Sequence, residues 1–437
     1  MLRSQLMQAK SKIKLDRVVG GFLVFFLNLA ARVLSLILRR SHDINETKVN
    51  TICVAKFAGL GSILCAGPLL GLIKLHYPGA RLVFITSQHN AELLECMPVI
   101  DVRLYVSEKN LLSTILSSVS VLIRLWRLRP QFYIDLEVYS YYSSMMATLS
   151  CARNRIGFYR LSSGLKKGLF THLVFFNTAV PVQSLYLQLG RVAGCAKPAP
   201  PAPVLRVPPK DKERAESVLT EWLPENAPLL VVNPNASDLL LERRWPIESF
   251  SAAITGLFDL VPGLRVALVG SRSEAGYISR LAGLLVPYKD RIREYPGLNL
   301  AVFLGVLQRA NCFLTNDSGP MHMAFDFRVP TVALFGPASP VQFACFADPA
   351  RTIVLYEPVL CSPCVHNVDA PPCGGDNQCM QRIDVSRVVD ACYHFLAKTA
   401  RDGKSSQEWT LPARSPILSS PDGVPLGKVE LRSRSRQ

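Results

Sequence analysis

One stretch of this chain carries groups that could bind an anion, residues 315–324, which read TNDSGPMHMA. The apolar residues before it predict a strand, and the turn that contains Asp317, Ser318 and Gly319 predicts a sharp entry into a helix. The first N–H groups of a helix lack backbone partners, and the helix dipole places partial positive charge beside them. Ser318 adds a hydroxyl, and Gly319 lets a ligand approach the backbone closely. This geometry suits a diphosphate.

An ordinary helix start offers an alternative interpretation of the same turn, because Asp or Ser is a common N-cap and Pro is favoured in the first turn. Pro320 and His322 are further candidate contacts, with helix packing as the alternative role of His322. The turn by itself leaves both interpretations open. Other residues at the same edge of the sheet must decide between them.

Two more predicted strands in this half of the chain end in polar residues. Asn235 and Ser237 follow one apolar strand, and Glu274 follows the next. Parallel strands bring their carboxyl ends to one edge of a sheet, where doubly wound folds bind ligands. We expect these residues to face the same ligand as Ser318, with Glu274 accepting hydrogen bonds from ribose hydroxyls. The alternative for Glu274 is a capping box with Ser271.

Two adjacent arginines, Arg243 and Arg244, precede Trp245 and Pro246 at the start of a predicted helix. A guanidinium group forms charge-assisted, two-pronged contacts with phosphate oxygens. We therefore predict that these arginines bind the phosphates of the ligand. The alternative is a solvated pair of charges at a helix start.

The elements that must position these residues alternate between strands and helices. The first series has predicted strands at 51–57, 81–86, 102–106, 132–136 and 155–158 and predicted helices that include 111–128 and 142–150. The second series has predicted strands at 229–233, 265–269 and 312–314 and predicted helices at 210–222, 247–260 and 275–285. Such alternation predicts an α/β fold with doubly wound parallel sheets.

A Pro- and Ala-rich stretch between Cys195 and Pro209 marks a linker between the two series. At 437 residues the chain is long enough for two domains with extensions. The expected divisions are an N-terminal segment 1–49, a first domain 50–205, a second domain 206–383, a C-terminal crossover helix 384–399 and a disordered tail 400–437. Two consecutive sheets of this kind leave a ligand cleft between them.

The composition describes a globular protein with a basic surface. Hydrophobic residues make up 49% of the chain and charged residues 19%, and the net charge is +16. A basic surface favours anionic partners, such as nucleotide sugars, phospholipid head groups, lipopolysaccharide phosphates or nucleic acid. The chain has no zinc-finger spacing and no aromatic-basic ribonucleoprotein motif, which makes nucleic acid the less favoured partner.

Residues 18–38 are almost wholly apolar, with Asn28 and Arg32 inside and basic residues on both flanks. The length permits a membrane span, but a charge in mid-segment is costly inside hydrocarbon. A helix that lies in the membrane interface fits this pattern better. A cleaved signal fits least, since no small-residue cleavage site follows. We expect this segment to associate with a membrane surface.

The cysteines divide into two groups. Those scattered in apolar surroundings indicate a reducing compartment. Four others cluster in one loop that also contains His366, namely Cys361, Cys364, Cys373 and Cys379. Four thiols could hold zinc, but their spacing lacks the second C-x2-C of a zinc ribbon. We favour free or structural thiols and predict no metal site.

Several short motifs together resemble glycosyltransferase family 9, the lipopolysaccharide heptosyltransferases and their relatives. They are DSGPMH at 317–322, FGP at 335–337, RRWP at 243–246, LGS at 60–62, IDL at 134–136 and the cysteine-rich loop at 361–380. The resemblance implies a GT-B fold, in which two Rossmann-like domains face each other across a cleft. It also implies a nucleotide-diphospho-sugar donor, typically ADP-heptose, held by the second domain without any required cofactor.

The resemblance further implies roles for individual residues. Ser318 and Gly319 fall where the family binds the diphosphate, and Asp317 falls where it contacts the donor sugar or phosphate. Arg243 falls on a basic phosphate contact that is commonly Lys in the family, and Glu274 falls near the ribose contact.

Position 62 departs from the family pattern. In the heptosyltransferases a Gly-Asp step supplies the carboxylate that takes the acceptor proton, whereas this chain has Gly61 and Ser62. An unassisted serine has too high a pKa to act as a general base near neutrality. Asp135 and Glu137, at the end of a first-domain strand, join Ser62 as the catalytic candidates. Otherwise the acceptor binds already activated, or the protein binds donor without transferring it.

These observations predict an inverting glycosyltransferase at the cytoplasmic face of the bacterial inner membrane. By resemblance, it moves heptose from a nucleotide-diphospho-sugar to a lipopolysaccharide core or a related envelope glycan. Two alternatives stay open, a donor-binding protein without transferase activity and an epimerase-like enzyme that acts on a sugar nucleotide.

Overall fold

The computed structural model describes most of the chain. The described residues are 16–38, 41–44, 49–196, 204–236, 240–344, 347–365, 367–368 and 370–401. Ser237, His366 and the tail from 402 onward lie outside these ranges. What the sequence predicts for them stays a prediction.

The first domain is built on a parallel sheet. Its strands are β1 (Thr51–Ala55), β2 (Arg81–Ser87), β3 (Val102–Val106), β4 (Phe132–Asp135), β5 (Asn154–Tyr159) and β6 (His172–Phe175). They lie in the order β3-β2-β1-β4-β5-β6, and each neighbouring pair is parallel. The order reverses between β1 and β4, which is the point where doubly wound sheets bind ligands.

The second domain repeats this topology. Its strands are β7 (Leu229–Asn233), β8 (Arg265–Gly270), β9 (Ile292–Pro296), β10 (Cys312–Asn316), β11 (Thr331–Phe335) and β12 (Thr352–Tyr356). They lie in the order β12-β11-β10-β7-β8-β9, again all parallel. The order reverses between β7 and β10, whose last residues are Asn233 and Asn316. The predicted doubly wound α/β fold is confirmed.

Helices cover both sheets. Those of the first domain are α1 (Gly21–Leu38), α2 (Leu60–Cys65), α3 (Gly67–His76), α4 (Ala91–Glu95), α5 (Leu111–Leu128), α6 (Tyr141–Leu149) and α7 (Val182–Val192). Those that follow are α8 (Pro209–Thr220), α9 (Ile247–Leu260), α10 (Ala275–Leu284), α11 (Leu300–Gln308), α12 (Gly319–Asp326), α13 (Pro340–Phe343), α14 (Gln378–Gln381) and α15 (Val385–Arg401). The C-terminal helix α15 packs on α9 and on the second sheet.

Side-chain alternation decides which layer covers each face of the first sheet, because successive strand residues point to opposite faces. Ile52 and Val54 of β1 pack in a core that continues into the second domain. Cys53 and Ala55 face the opposite layer, which contains α1, α5 and α6. All of β1 is buried, so the strand is apolar throughout rather than alternating.

The linker is anchored where it re-enters the described part of the chain. The backbone N–H groups of Val204 and Leu205 donate to the carboxylate of Asp326 on α12, at 2.9–3.2 Å. These hydrogen bonds tie the end of the linker to the helix that follows the predicted anion site.

Candidate active site

The turn before α12 leaves the start of this helix open to a ligand. Ser318 is the N-cap, with extended backbone angles, and its side chain makes no capping hydrogen bond. Its hydroxyl lies 3.2 Å from Oγ1 of Thr315 and 3.4 Å from Nδ2 of Asn233. The N–H groups of the first helical turn therefore keep the free donors and the positive dipole end that favour an anion.

The start of α2, in the first domain, lies directly against the start of α12. A Cβ at Gly61 would lie 2.5 Å from Cδ2 of His322, closer than real Cβ atoms approach their neighbours. A Cβ at Gly319 would lie 3.3 Å from Cβ of Leu60. The two domains meet at this distance because both positions are glycine.

A cleft of about 810 Å³ lies between the two domains, within the range of pockets that enclose whole small ligands. It brings together most of the predicted site residues. Those that line it are Ser62, Asn235, Arg243, Glu274, Asp317, Ser318, Gly319, Pro320 and His322. Three that do not line it are Asp135, Glu137 and Arg244.

Three polar groups in the cleft are buried and lack hydrogen-bond partners among the described residues. They are Nε of Arg243, Oδ2 of Asp317 and Oδ1 of Asn235. Nη1 of Arg243 lies 3.5 Å from Oδ2 of Asp317, so the two side chains form a loose ion pair. Buried polar groups are nearly always hydrogen-bonded in native proteins. These groups therefore indicate a site that a polar ligand completes.

Glu274 forms the capping box with Ser271 that was its alternative interpretation, and it also lines the cleft. Its Oε2 accepts hydrogen bonds from the backbone N–H and the hydroxyl of Ser271, both at 2.8 Å. Its Oε1 lies 4.0 Å from Nη2 of Arg244, whose guanidinium stacks over the ring of Tyr277. Arg244 thus supports Glu274 from outside the cleft, while Glu274 itself lines it.

His322 is a buried, neutral residue. Burial lowers the pKa of its ring from 6.5 to about 4. Its Nδ1 lies 3.6 Å from Sγ of Cys65, whose own pKa burial raises to about 12, so this sulfur stays a thiol. The ring also makes edge contacts with Phe325 and Phe343. An imidazole in this state is a weak base at neutral pH, and its contacts are those of a packing residue.

Glu137 holds the loop that follows β1. Its Oε1 accepts hydrogen bonds from the backbone N–H groups of Phe57 and Ala58, and its Oε2 lies 2.9 Å from Nζ of Lys56. Burial acts to raise the pKa of Glu137, but Lys56 and the two N–H groups outweigh it, so the pKa is lowered. A carboxylate with a lowered pKa is a poor base.

Asp135 has no exposed surface. Its Oδ1 accepts hydrogen bonds from Oγ of Ser143 at 2.5 Å and from the backbone N–H of Glu137 at 3.0 Å. Burial raises its pKa from 3.8 to about 6, and the buried Lys166 opposes this rise. A pKa near 6 would suit a general base, but the carboxylate lies inside the first domain, away from the cleft. The catalytic roles of Asp135 and Glu137 stay predictions.

Several cleft residues escape sequence reasoning. Lys56, Asn90 and Glu92 line the cleft from the first domain. Glu92 also crosses to the second domain, where its Oε2 accepts the backbone N–H of Leu300 at 3.0 Å. Of these three residues, only Lys56 could have been found from the sequence, because it is a charged residue directly after an apolar strand.

The cysteine-rich loop packs behind the predicted FGP motif. The backbone N–H groups of Cys364 and Val365 donate to the carbonyl of Pro337, and Sγ of Cys379 lies beside Gly336. In the part of the chain that the structure describes, the cysteines of this loop are unbridged, and no cluster of three or more His, Cys, Asp or Glu residues could hold a metal ion.

Comparison with known proteins identifies this arrangement. Residues 134–373, more than half of the chain, match the model of glycosyltransferase family 9 (heptosyltransferase). The lipooligosaccharide heptosyltransferase 2 of Haemophilus influenzae is 31% identical over 165 residues, 36% of this chain and 44% of that protein. The lipopolysaccharide heptosyltransferase 2 of Escherichia coli K12 is 36% identical over 118 residues, 26% of this chain and 32% of that protein. These matches span less than half the length of either relative.

Solved structures share the fold. The family 9 glycosyltransferase of Veillonella parvula superimposes with a TM-score of 0.66 at 18% identity, covering 80% of this chain and 97% of that one. The E. coli ADP-heptose lps heptosyltransferase II does so with a TM-score of 0.64 at 20% identity, covering 80% and 99%. The predicted GT-B architecture, two Rossmann-like domains facing across a cleft, is confirmed.

The buried ring of His322 makes stability depend on pH. Its pKa is about 4 in the folded protein against 6.5 for a free ring, so protonation favours the unfolded chain. We expect the free energy of unfolding to fall as pH drops from 6.5 to 4, and His322→Gln to reduce this loss. Urea unfolding at a series of pH values measures it. The control variant His89→Gln, at an exposed histidine, should keep the wild-type slope of the free energy of unfolding against pH. An unchanged slope in His322→Gln would contradict the assignment.

Substitution of Asp135 separates a structural role from a catalytic one. Asp135→Asn places an amide donor in a buried position and removes a charge partner of Lys166. We expect a loss of about 1–3 kcal/mol in the free energy of unfolding, with the turnover of the folded enzyme within about threefold of wild type. The exposed Asp259→Asn is the control. Unchanged stability with turnover lowered by orders of magnitude would instead make Asp135 the base.

Proposed function

Because the chain belongs to glycosyltransferase family 9, we propose that it transfers a sugar from a nucleotide-diphospho-sugar to an acceptor hydroxyl. The observation that carries this proposal is the open start of α12 beside Arg243, inside a cleft shared by two Rossmann-like domains. The curated relatives match only in part, so the donor, the acceptor and the reaction of this chain are proposals.

The donor diphosphate is proposed to occupy the start of α12. The backbone N–H groups there, the hydroxyl of Ser318 and the guanidinium of Arg243 together offer donors on one side of the cleft. Arg243 has an unpartnered Nε and only a 3.5 Å contact with Asp317, so phosphate oxygens can replace that weak contact. A charge-assisted bond to phosphate is shorter and stronger than this pair.

The nucleoside is proposed to lie along the carboxyl ends of β7 and β8. Asn235 and Glu274 line this part of the cleft, together with Val269 and Gly270. The unpartnered Oδ1 of Asn235 is a hydrogen-bond acceptor that ribose or base could satisfy. The backbone at Gly270 leaves no space for a side chain, since a Cβ there would lie 2.4 Å from Nδ2 of Asn235.

The reaction is proposed to invert the anomeric centre. An acceptor hydroxyl, held by the first domain, attacks from the face opposite the diphosphate, through an oxocarbenium-like transition state. The bond from the anomeric carbon to the diphosphate breaks, and its electron pair leaves with the phosphate oxygen. Negative charge grows there as the bond breaks, so the N–H groups of α12 and Arg243 stabilise the transition state more than the bound donor. The diphosphate is itself the leaving group, so the proposal requires no cofactor.

The proton of the acceptor needs a base. Ser62 lines the cleft but is too weak a base when unassisted. The carboxylates that line the cleft are Glu92, Glu274 and Asp317. Glu92 and Glu274 have an oxygen committed to a backbone N–H group, whereas Oδ2 of Asp317 has only the loose contact with Arg243. Asp317 pairs with Arg243 beside the proposed diphosphate, however, on the side opposite the attacking hydroxyl. The proposal therefore takes the acceptor either as activated on arrival or as deprotonated by Glu92, the carboxylate with which the first domain lines the cleft.

The substrates are proposed by analogy with the relatives. Their names specify heptosyltransferases that act on lipopolysaccharide or lipooligosaccharide, and one solved structure is named for ADP-heptose. We therefore take ADP-heptose as donor and a lipopolysaccharide core or a related envelope glycan as acceptor. We further propose that the enzyme works at the cytoplasmic face of the bacterial inner membrane.

Reversal of the charge at Arg243 tests the donor site. Arg243→Glu should raise the dissociation constant for ADP-heptose at least about a hundredfold, because it removes a phosphate contact and adds a repelling charge. Isothermal titration calorimetry measures it. Arg280→Glu is the matched control, since Arg280 is exposed on α10 outside the cleft, and it should bind like wild type.

Transfer itself is measured in the same preparation, by mass spectrometry of ADP-heptose incubated with and without heptose-deficient lipopolysaccharide. We expect ADP and a lengthened acceptor, formed only when both substrates are present. Product from donor alone would indicate an epimerase-like or hydrolytic enzyme, and binding without product would indicate a silent donor-binding protein. Wild-type affinity in Arg243→Glu would remove the second domain from the donor site.

A further inference from the structure

Helix α1 exposes an apolar surface on the side turned away from the protein. Its inner side contains Val24, which is fully buried against the first sheet. On the opposite side Phe22, Phe26 and Leu29 are 52–65% exposed. A helix with apolar residues all round is normally buried or in contact with lipid. Among the residues that the structure describes, nothing covers its outer side.

Helix α5 exposes a second apolar stripe. Val121, Leu122 and Leu125 are buried against the first sheet. Leu116, Ile123 and Trp126, on a neighbouring side of the helix, are 38–61% exposed. Apolar residues therefore cover a wider part of the circumference of α5 than the part that packs on the protein.

The two stripes lie on the same side of the first domain. The buried sides of α1 and α5 belong to one apolar cluster on one face of the first sheet. Helix α6 belongs to the same layer: it contacts both helices, and the carbonyl of Leu149 at its end accepts the indole N–H of Trp126 at 2.8 Å. Because α1 and α5 cover the same face of one sheet, their outer sides point the same way.

By length and composition α5 could cross a membrane, at 18 residues. Its position in the fold excludes that arrangement. It connects β3 to β4, two strands of one sheet, and a capping box at Asn110 starts it. Crossing a bilayer would pull both strands out of the sheet. The helix can meet lipid only by lying along the surface, as interfacial helices do.

Every charged residue within α1 and α5 is basic, and the acidic residues that precede these helices are Asp16 and Glu108. The sequence from 17 to 38 and from 109 to 134 contains no Asp or Glu. Asp16, just before, accepts the backbone N–H groups of Tyr141 and Tyr142 at the start of α6. Arg124 and Arg127 are exposed on α5 beside the apolar stripe. Apolar stripes bordered by cations, on helices that contain no acidic residue, complement an anionic lipid surface.

We propose that the exposed sides of α1 and α5 form one docking surface for an anionic lipid bilayer, called here the two-helix face (Phe22, Phe26, Leu29, Leu116, Ile123 and Trp126). These side chains enter the boundary between head groups and acyl chains. Arg124 and Arg127 stay at the level of the head groups. The inference deepens the proposed function and rests on its membrane-bound acceptor, since it fixes the first domain at the surface from which that acceptor projects.

Flotation of the full chain with lipid vesicles tests this surface. We expect wild type to float with vesicles of phosphatidylethanolamine and phosphatidylglycerol, and to float less with phosphatidylcholine alone. Leu116→Glu combined with Ile123→Glu should weaken partitioning at least about tenfold, because two inserting side chains become charged. The control is Leu260→Glu with Leu284→Glu, two residues each 49% exposed on the second domain, which should float like wild type.

Trp126 provides a second measurement that does not depend on a charge change. The chain has four tryptophans, so the measurement uses a background in which Trp409 is replaced by Phe. In that background, quenching of tryptophan fluorescence by brominated phospholipids should occur with Trp126 present and in Trp222→Phe, and should be lost in Trp126→Phe. Quenching retained in Trp126→Phe would contradict insertion of α5.

Three further results would overturn the proposal. One is equal flotation of wild type and Leu116→Glu with Ile123→Glu, and another is flotation by wild type that does not depend on lipid charge. The third is a lipid-free dimer of wild type that this double variant dissociates, which would make the surface an interface between copies. ADP-heptose affinity is measured on the same variants. Loss of flotation with normal affinity supports the proposal, whereas failure of the proposed function would appear in wild type as absent binding or transfer.

Discussion

The close approach of two helix starts across the cleft is the constraint on which the site depends. The beginning of α2 and the beginning of α12 come from different domains and meet at Gly61 and Gly319. Neither position leaves room for a larger residue without a shift of its neighbours. This contact brings the loop after β1 within reach of whatever binds at Ser318.

The same contact sets the electrostatics of the cleft. His322 fills the space that Gly61 leaves, and burial keeps its ring neutral at neutral pH. The positive charge that faces the cleft then comes from Arg243, Lys56 and the start of α12. Lys56 is already matched by Glu137, whereas among the described residues Arg243 has a single loose ion pair, with Asp317. The unmatched cation and the open helix start lie together in the second domain, which is where a diphosphate would be bound most strongly.

Sequence patterns predict helices and strands well where the hydrophobic periodicity and the turn-forming residues at the ends of the element agree. The bounds predicted for β3, α5, β7 and α9 are those observed. The patterns do not reveal β6, α7, β9, α11 or β12. Helix α11 reads LAVFLGVLQ and is almost entirely buried, so it has no polar side to give a helical period. Strand β9 reads IREYP and is largely exposed, so its polar residues do not give the apolar pattern by which a strand is predicted.

For the site, the sequence identifies the edge of a sheet but not the face to which a side chain points. Asp135 ends β4 at the expected edge, yet it has the same parity as Tyr133, which packs with α1, α5 and α6. Phe132 and Ile134 face the core shared with the second domain. Asp135 therefore points to the opposite layer, towards Ser143. If the sequence had shown which face of the sheet the residues of β4 point to, it would have shown that Asp135, unlike Asp317, does not face the cleft.

The two faces of the first sheet thus have different roles in the structure. One face shares its apolar core with the second domain, which keeps the two halves of the cleft together. The other is covered by α1, α5 and α6, whose cluster contains residues of the first domain. Apolar side chains left on the outside of that layer do not stabilise the cleft, because nothing of the second domain packs among them. These side chains stay exposed in the part of the chain that the structure describes, and the bilayer proposed above would bury them without disturbing the contact between α2 and α12.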